Sequence, residues 1–71
     1  MFTVQVFMRK SATELFDCVG AYRFERKIDA LKAAVLTVSA TEFRRPDLWS
    51  VEVLDAEGRK VYRKGCNVWE C

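Results

Sequence analysis

The residue types that carry most enzyme chemistry are scarce in this chain. Histidine is absent, which removes the commonest general base and the commonest zinc ligand. We find no glycine-rich phosphate loop and no nucleophile elbow. The 10 carboxylates are scattered singly among basic residues, so neither a catalytic pair nor a divalent-metal cluster is indicated. We therefore expect a protein that is not an enzyme and needs no cofactor.

The three cysteines, Cys18, Cys66 and Cys71, are the residues nearest to a metal or redox site. The Cys-x4-Cys spacing of the last two is neither a thioredoxin motif nor half of a zinc ribbon. Zinc held by three thiolates and a water is one interpretation. We favour the other, in which Cys18 packs as a small core residue and the remaining two are incidental thiols. An odd number of cysteines without a secretory signal predicts a cytoplasmic protein with reduced thiols and no metal.

Basic residues gather in three short segments that have aromatic residues close by. The segments are Arg23 with Arg26 and Lys27, Arg44 with Arg45, and Arg59, Lys60, Arg63 and Lys64. If the first and last lay on one edge of the fold, they could form a phosphate-binding stripe, with aromatics stacking on bases. The alternative, which we favour, is a solvated surface that protects edge strands, because acidic neighbours dilute every cluster. The formal net charge of +2 exerts little pull on nucleic acid.

Hydropathy patterns predict two β-hairpins on either side of one helix. Alternation indicates strands over Phe2–Met8, Leu15–Phe24, Trp49–Leu54 and Arg59–Lys64, and helical spacing indicates a helix from Glu25 or Arg26 to Ala40. Residues 55–58 have the composition of a type I turn closed by a glycine bulge, and residues 68–71 could add a short strand. With 71 residues the chain forms one domain, 1–71. The predicted fold is α+β: a mainly antiparallel sheet of four to five strands with one helix on one face, in the order ββαββ.

The apolar positions of these elements define an expected core and an uncovered sheet face. The expected core is Phe2, Val4, Val6, Met8, Ile28, Leu31, Val35, Val38, Trp49, Val51, Val53 and Val61. Leu54 and Phe7 would point away from the helix, and Tyr62 and Trp69 could join them in an apolar patch. Alternatively, Val68 and Trp69 fold back and cover that face. No apolar run approaches the roughly 18 residues of a membrane span, so we expect no membrane partner.

The order of the elements resembles that of a known class of small inhibitors. The first hairpin, the helix, the second hairpin turning through residues 55–60 and the aromatic and cysteine residues at the C-terminus are similar to anti-CRISPR proteins of phages and mobile elements. The resemblance extends over the whole chain in architecture, and no motif matches residue by residue. It implies a non-enzymatic protein that binds a CRISPR effector complex and blocks nucleic-acid binding or nuclease recruitment.

The sequence thus predicts a protein-binding module whose partner is a larger protein or nucleoprotein complex. Basic side chains would meet acidic patches or compete with nucleic acid: Arg23, Arg26, Lys27, Arg59, Lys60, Arg63 and Lys64. Leu54, Tyr62 and Trp69 would be the hydrophobic anchors. Two alternatives are a weak single-stranded nucleic-acid binder and a homodimer that pairs through edge strands or the uncovered sheet face.

Overall fold

A computed structural model describes residues 1–41 and 45–65 of the chain, and within them the predicted α+β fold is confirmed. The elements are β1 (Phe2–Met8), β2 (Asp17–Phe24), α1 (Lys27–Thr41), a short 3-10 helix (Pro46–Leu48), β3 (Trp49–Leu54) and β4 (Lys60–Gly65). The second strand begins two residues later than the sequence pattern predicted. The expected final strand over residues 68–71 lies outside the described residues.

The four strands form one antiparallel sheet in the order β2-β1-β3-β4. The two central strands, β1 and β3, come from different hairpins and pair with Val4 opposite Val53 and Val6 opposite Val51. Residues directly opposite each other in an antiparallel pair project to the same face. The alternating valines of both strands therefore form one apolar layer, and α1 packs across it.

The buried core consists of the valine layer, Trp49 and two alanines of α1. Val4, Val6, Val51, Val53, Ala30 and Ala34 are all buried, as is Trp49. The strand part of the expected core is thus confirmed, with Phe2, Met8 and Val61 packed at its margin. Leu31 and Val38 are partly buried beside it.

The expected core was wrong on two helix positions, Ile28 and Val35, which are 49% and 50% exposed. Ala30 and Ala34 contact the sheet in their place, since residues four apart share one helix face. A methyl side chain lets the helix backbone lie close to the valine layer, and Ile28, Val35 and Leu36 are left on the opposite side of α1. Neither α1 nor the 3-10 helix is long and apolar enough to cross a membrane.

The β3–β4 hairpin turns through the predicted glycine-bulge connection. The amide of Gly58 donates to the carbonyl of Asp55 at 3.0 Å, and the amide of Asp55 donates to the carbonyl of Arg59 at 2.9 Å. Gly58 has φ of 82°, a left-handed conformation that residues with a side chain rarely adopt. A Cβ at this position would meet nothing within 4 Å, so the backbone conformation alone requires glycine.

Gly65 ends β4 under a second constraint. Its φ is 91°, and a Cβ there would lie 2.4 Å from the carbonyl oxygen of Trp49 and 2.7 Å from Cε3 of the indole. The missing side chain therefore lets the end of the edge strand lie directly against the buried Trp49.

Gly58 is required only by its backbone conformation, whereas Gly65 is required by its conformation and by the lack of space for a side chain. Their alanine variants should therefore differ in stability. We expect Gly58→Ala to lower the free energy of unfolding by about 1 kcal/mol, from the left-handed φ alone. Gly65→Ala adds the clash with Trp49 and should cost roughly 1–3 kcal/mol more. Urea unfolding followed by tryptophan fluorescence measures both. Equal losses for the two variants would contradict the contact between Gly65 and Trp49.

Candidate functional site

The side of α1 that faces away from the sheet carries a continuous apolar surface. We call it the outer helix stripe: Ile28, Leu31, Lys32, Val35 and Leu36, which together line a shallow groove of about 470 Å³. Leu31 lies at the margin of the stripe, where it also packs against the core. The spacing i, i+3, i+4, i+7, i+8 brings these residues onto one face, over two turns of the helix. The stripe exists because the sheet contact is made by small alanines.

The exposure of this stripe is unusual for a helix of a globular domain. Leu36 is 71% exposed, and Ile28 and Val35 are each about half exposed. A helix that is apolar on both sides is normally buried on both sides. Single exposed apolar residues are common, but contiguous ones mark a contact surface. The outer helix stripe is thus the strongest candidate interface in the part of the chain that the structure describes.

Few charges accompany the stripe. Within α1 the charged residues are Lys27, Asp29 and Lys32. The carboxylate of Asp29 is 3.3 Å from Nε of Arg26, so its charge is already balanced. Lys32 lies inside the stripe and makes no ion pair within residues 1–41 and 45–65. The outer side of α1 is therefore apolar with a positive centre.

The sheet face opposite the helix holds an ion pair in which the carboxylate is buried and the lysine is partly exposed. Glu52 is 1% exposed, and its Oε2 is 3.0 Å from Nζ of Lys60 on the neighbouring strand. The contact is an ion pair without the alignment of a good hydrogen bond. Ser50 beside it is also buried, and its hydroxyl has no hydrogen-bond partner among the described residues. Lys60 therefore compensates the charge of a carboxylate that has lost its water.

Removing the ammonium of Lys60 should destabilise the fold through this buried carboxylate. We expect Lys60→Met to lower the free energy of unfolding by about 2 kcal/mol, because Glu52 is left without a counter-charge. Lys64→Met, at an exposed position of the same strand, is the matched control and should change stability by less than about 0.5 kcal/mol. Both values come from urea unfolding. Similar losses in the two variants would contradict a stabilising role for the ion pair.

The predicted basic residues do not form one stripe. Arg23 lies on β2, with Arg26 and Lys27 just after it, whereas the basic residues of the last hairpin lie on β4 and its turn. Those strands are the two opposite edges of the sheet, separated by roughly 14 Å of strand spacing. The single edge that the nucleic-acid interpretation required is therefore not formed.

Several of these basic side chains already face carboxylates. Arg59 lies 3.1 Å from Asp55 and 3.3 Å from Glu57. Arg26 and Lys60 are paired as described above, and Arg63 donates to the carbonyl of Gly65 at 2.8 Å. Arg23, Lys27 and Lys64 make no ion pair within the described ranges. Of the second basic segment, Arg45 is 2.5 Å from Asp47, and Arg44 lies outside those ranges.

The three predicted anchors have different outcomes. Leu54 is partly buried on the sheet face away from the helix, as expected, and so is Phe7. Tyr62 is opposite Val53 and packs against the core, so its expected place on the uncovered face is wrong. A bulge between Val53 and Leu54 shifts the register, so alternation counted from the turn does not give the face of Tyr62. Trp69 lies outside the described residues.

Cys18 is exposed, which corrects the expectation that it packs in the core. It lies near the start of β2, an edge strand, with its thiol donating to the carbonyl of Gly20 at 3.5 Å. Among the residues described, no group of three His, Cys, Asp or Glu side chains could hold a metal ion. The other two cysteines, Cys66 and Cys71, lie outside the described ranges.

Arg9 contacts two loops at one end of the sheet, the one before β2 and the one before β3. Its Nε donates to the carbonyl of Asp47 at 2.7 Å, and its guanidinium lies 4.3 Å from the centre of the Phe16 ring. A cleft of about 590 Å³ opens beside it, lined by Met8, Arg9, Lys10, Glu14, Asp17, Val19 and Leu48. The charges in this cleft have both signs and Arg9 is engaged with neighbouring groups, so the cleft favours no one class of ligand.

Two carboxylates in turns have shifted pKa values. The backbone amide of Arg59 lowers the pKa of Asp55, with further lowering by the amide of Glu57 and the charge of Arg59. A hydrogen bond from Arg45 lowers the pKa of Asp47, and the same contact raises the pKa of Arg45. These contacts fix the hairpin turn and the entry to β3, so both groups have structural roles.

The lowered pKa of Asp55 predicts loss of stability in acid. A carboxylate with a depressed pKa stabilises the fold above its unfolded pKa of about 4, and this contribution disappears as the pH falls through the folded pKa. Asp55→Asn should therefore be less stable than the parent at about pH 7, and the difference should be smaller at about pH 2.5, where protonation of Asp55 becomes more favourable. Urea midpoints at the two pH values measure this. Glu14→Gln, outside the turn, is the control, and a D55N deficit that is equally large in acid would contradict the assignment.

No family model, curated protein or solved structure matches this chain. Its candidate site therefore rests on its own geometry. The outer helix stripe was missed from the sequence, although two signals were present. The first is Leu36, which lies next to Val35 and outside the apolar stripe assigned to the core. The alanine pair four residues apart was the second signal, because it marks the side on which a helix can approach a sheet.

Proposed function

We propose that this protein is a non-enzymatic protein-binding module and that the outer helix stripe is its main contact surface. The observation that carries the proposal is the exposure of Leu36, Val35 and Ile28 on a helix whose other side is buried. Burying a Leu or Val side chain stabilises an assembly by about 1.5–3 kcal/mol, so three of them side by side supply a hydrophobic centre for an interface.

The proposed biological role is inhibition of a larger nucleoprotein complex by occlusion. Its support is the resemblance in size and element order to anti-CRISPR proteins, which bind subunits of a CRISPR effector complex. Three cations that make no ion pair among residues 1–41 and 45–65 lie outside the stripe, where they would steer the approach to an acidic surface: Arg23, Lys27 and Lys64. Leu54 remains a proposed secondary contact on the opposite sheet face.

Nucleic-acid binding is the weaker candidate. Its proposed basic side chains lie at opposite sheet edges, and Arg26, Arg59 and Lys60 face carboxylates. Affinity for single strands needs a continuous positive groove with aromatic platforms. Tyr62, the aromatic residue between Lys60 and Arg63, packs against the core.

The proposed surface can be tested by one polar substitution in a full-length tagged chain. We expect Leu36→Gln to weaken partner capture from nuclease-treated native-host lysate by about tenfold or more, because it removes an anchor from the stripe. Leu15→Gln is the matched control, since Leu15 is 90% exposed on a loop distant in sequence from α1. Thermal melting of both variants should equal that of the parent.

Three results would count against the proposal. Capture that is equal in the Leu36→Gln and Leu15→Gln proteins would remove the outer helix stripe as the contact surface. Loss of the captured partner after nuclease treatment would favour nucleic-acid binding instead. Absence of any stoichiometric partner would leave no binding function for the stripe.

A further inference from the structure

We propose that the outer helix stripe binds an acidic amphipathic helix of a partner protein, with a carboxylate of that helix paired to Lys32. This inference rests on the proposed protein-binding function and deepens it, since it names the chemistry of the partner. It is argued from the position of Lys32 in the stripe and from the charges around it.

The form of the stripe favours a helix over an extended segment. Ile28 and Leu36 are eight residues apart, so the stripe is about 12 Å long and follows the axis of α1. The backbone groups inside a helix are already hydrogen-bonded, so an added strand would gain no ladder hydrogen bonds there. A second helix can instead place its i, i+3, i+4 and i+7 side chains between those of α1.

The charge pattern specifies the sign of the partner. Lys32 lies between Ile28 and Leu36, so any apolar surface that covers the stripe also covers the stem of this lysine. An ammonium that loses water without gaining a partner is costly. The nearest acidic side chain in α1, Asp29, is engaged by Arg26 at 3.3 Å. The missing counter-charge must therefore come from the bound molecule.

The same residue disfavours a second copy of this chain. Lys32 is midway between Ile28 and Leu36, so a two-fold pairing centred on the stripe would bring the two Lys32 side chains together at the axis. Like charges facing each other across an interface weaken it. A heterologous partner with an acidic residue at that position avoids this repulsion.

Zero-length carbodiimide cross-linking tests the contact directly, because the reagent joins a lysine amine to a carboxylate that it touches. The full-length tagged protein is cross-linked in nuclease-treated native-host lysate, and the linked residues are identified by mass spectrometry. We expect Lys32 joined to an Asp or Glu of another protein, in a segment with apolar residues three and four positions away. Lys32→Arg should retain capture and lose this cross-link, since it keeps the charge and removes the amine.

Charge reversal supplies an independent measurement. Lys32→Glu should reduce capture at least tenfold, whereas Lys10→Glu, the same change at an exposed position outside the helix, should reduce it by less than threefold. Both variants should melt like the parent, because the substituted side chains are exposed.

The remaining outcomes overturn the inference in distinguishable ways. Capture that is sensitive to Leu36→Gln but unchanged by Lys32→Glu would leave the protein-binding function standing and remove the acidic helix. Cross-links from Lys32 to Glu25 or another carboxylate of the same protein, with a dimer in sedimentation, would identify a second copy. Leu36-dependent sedimentation with phosphatidylglycerol vesicles would identify a membrane surface, and capture insensitive to Leu36→Gln would remove the proposed function itself.

Discussion

Ala30 and Ala34 pack directly on the valine layer of the two central strands, and this contact decides how the rest of the molecule is arranged. Because both residues are small, the helix can lie close to the sheet without large side chains between them. Val4, Val6, Val51 and Val53 then become fully or almost fully buried under a single helix. The same contact turns the larger apolar residues of α1 toward the outside. The exposed stripe is thus a direct consequence of the way in which the core is closed.

The two faces of the sheet are stabilised by different interactions. The helix face excludes water by apolar packing, whereas the opposite face contains a buried carboxylate, Glu52, whose charge is balanced by Lys60 from the edge strand. An ion pair with a buried carboxylate adds little net stability, because the desolvation of the carboxylate offsets most of the attraction. Removal of one partner lowers the stability, however, because the other charge is left uncompensated. The contact also holds β4 against the central strand β3.

The distribution of charge bears on the class of partner. Three arginines, Arg26, Arg45 and Arg59, have carboxylate partners nearby in the chain, in turns or at the start of α1, and these partners weaken the electric field of each arginine at a distance. The cations that make no ion pair in residues 1–41 and 45–65 include Arg23, Lys27, Lys32 and Lys64, and they are dispersed. This dispersal supports the proposed protein partner over nucleic acid, because a continuous phosphate backbone is bound by a continuous positive surface.

By itself, the sequence determined the elements, their order and the strand half of the core. Alternating valines specify strand faces because the side-chain period of a strand is two, and the composition of residues 55–58 specifies the turn because only glycine adopts the required φ easily. The side of α1 that meets the sheet could not be read in this way. Ile28 and Val35 are apolar enough for core positions, and hydrophobic periodicity cannot show which of two apolar sides of one helix faces the sheet.

Tertiary structure decided which side of the helix is buried, which edge each basic segment occupies and which face carries Tyr62. The first was decided by the fit of alanine methyls to the valine layer, and the second by pairing of β1 with β3, which sends β2 and β4 to opposite edges. The third depended on a bulge that shifts the register by one residue. Each depends on contacts between residues far apart in the chain, which local pattern does not contain.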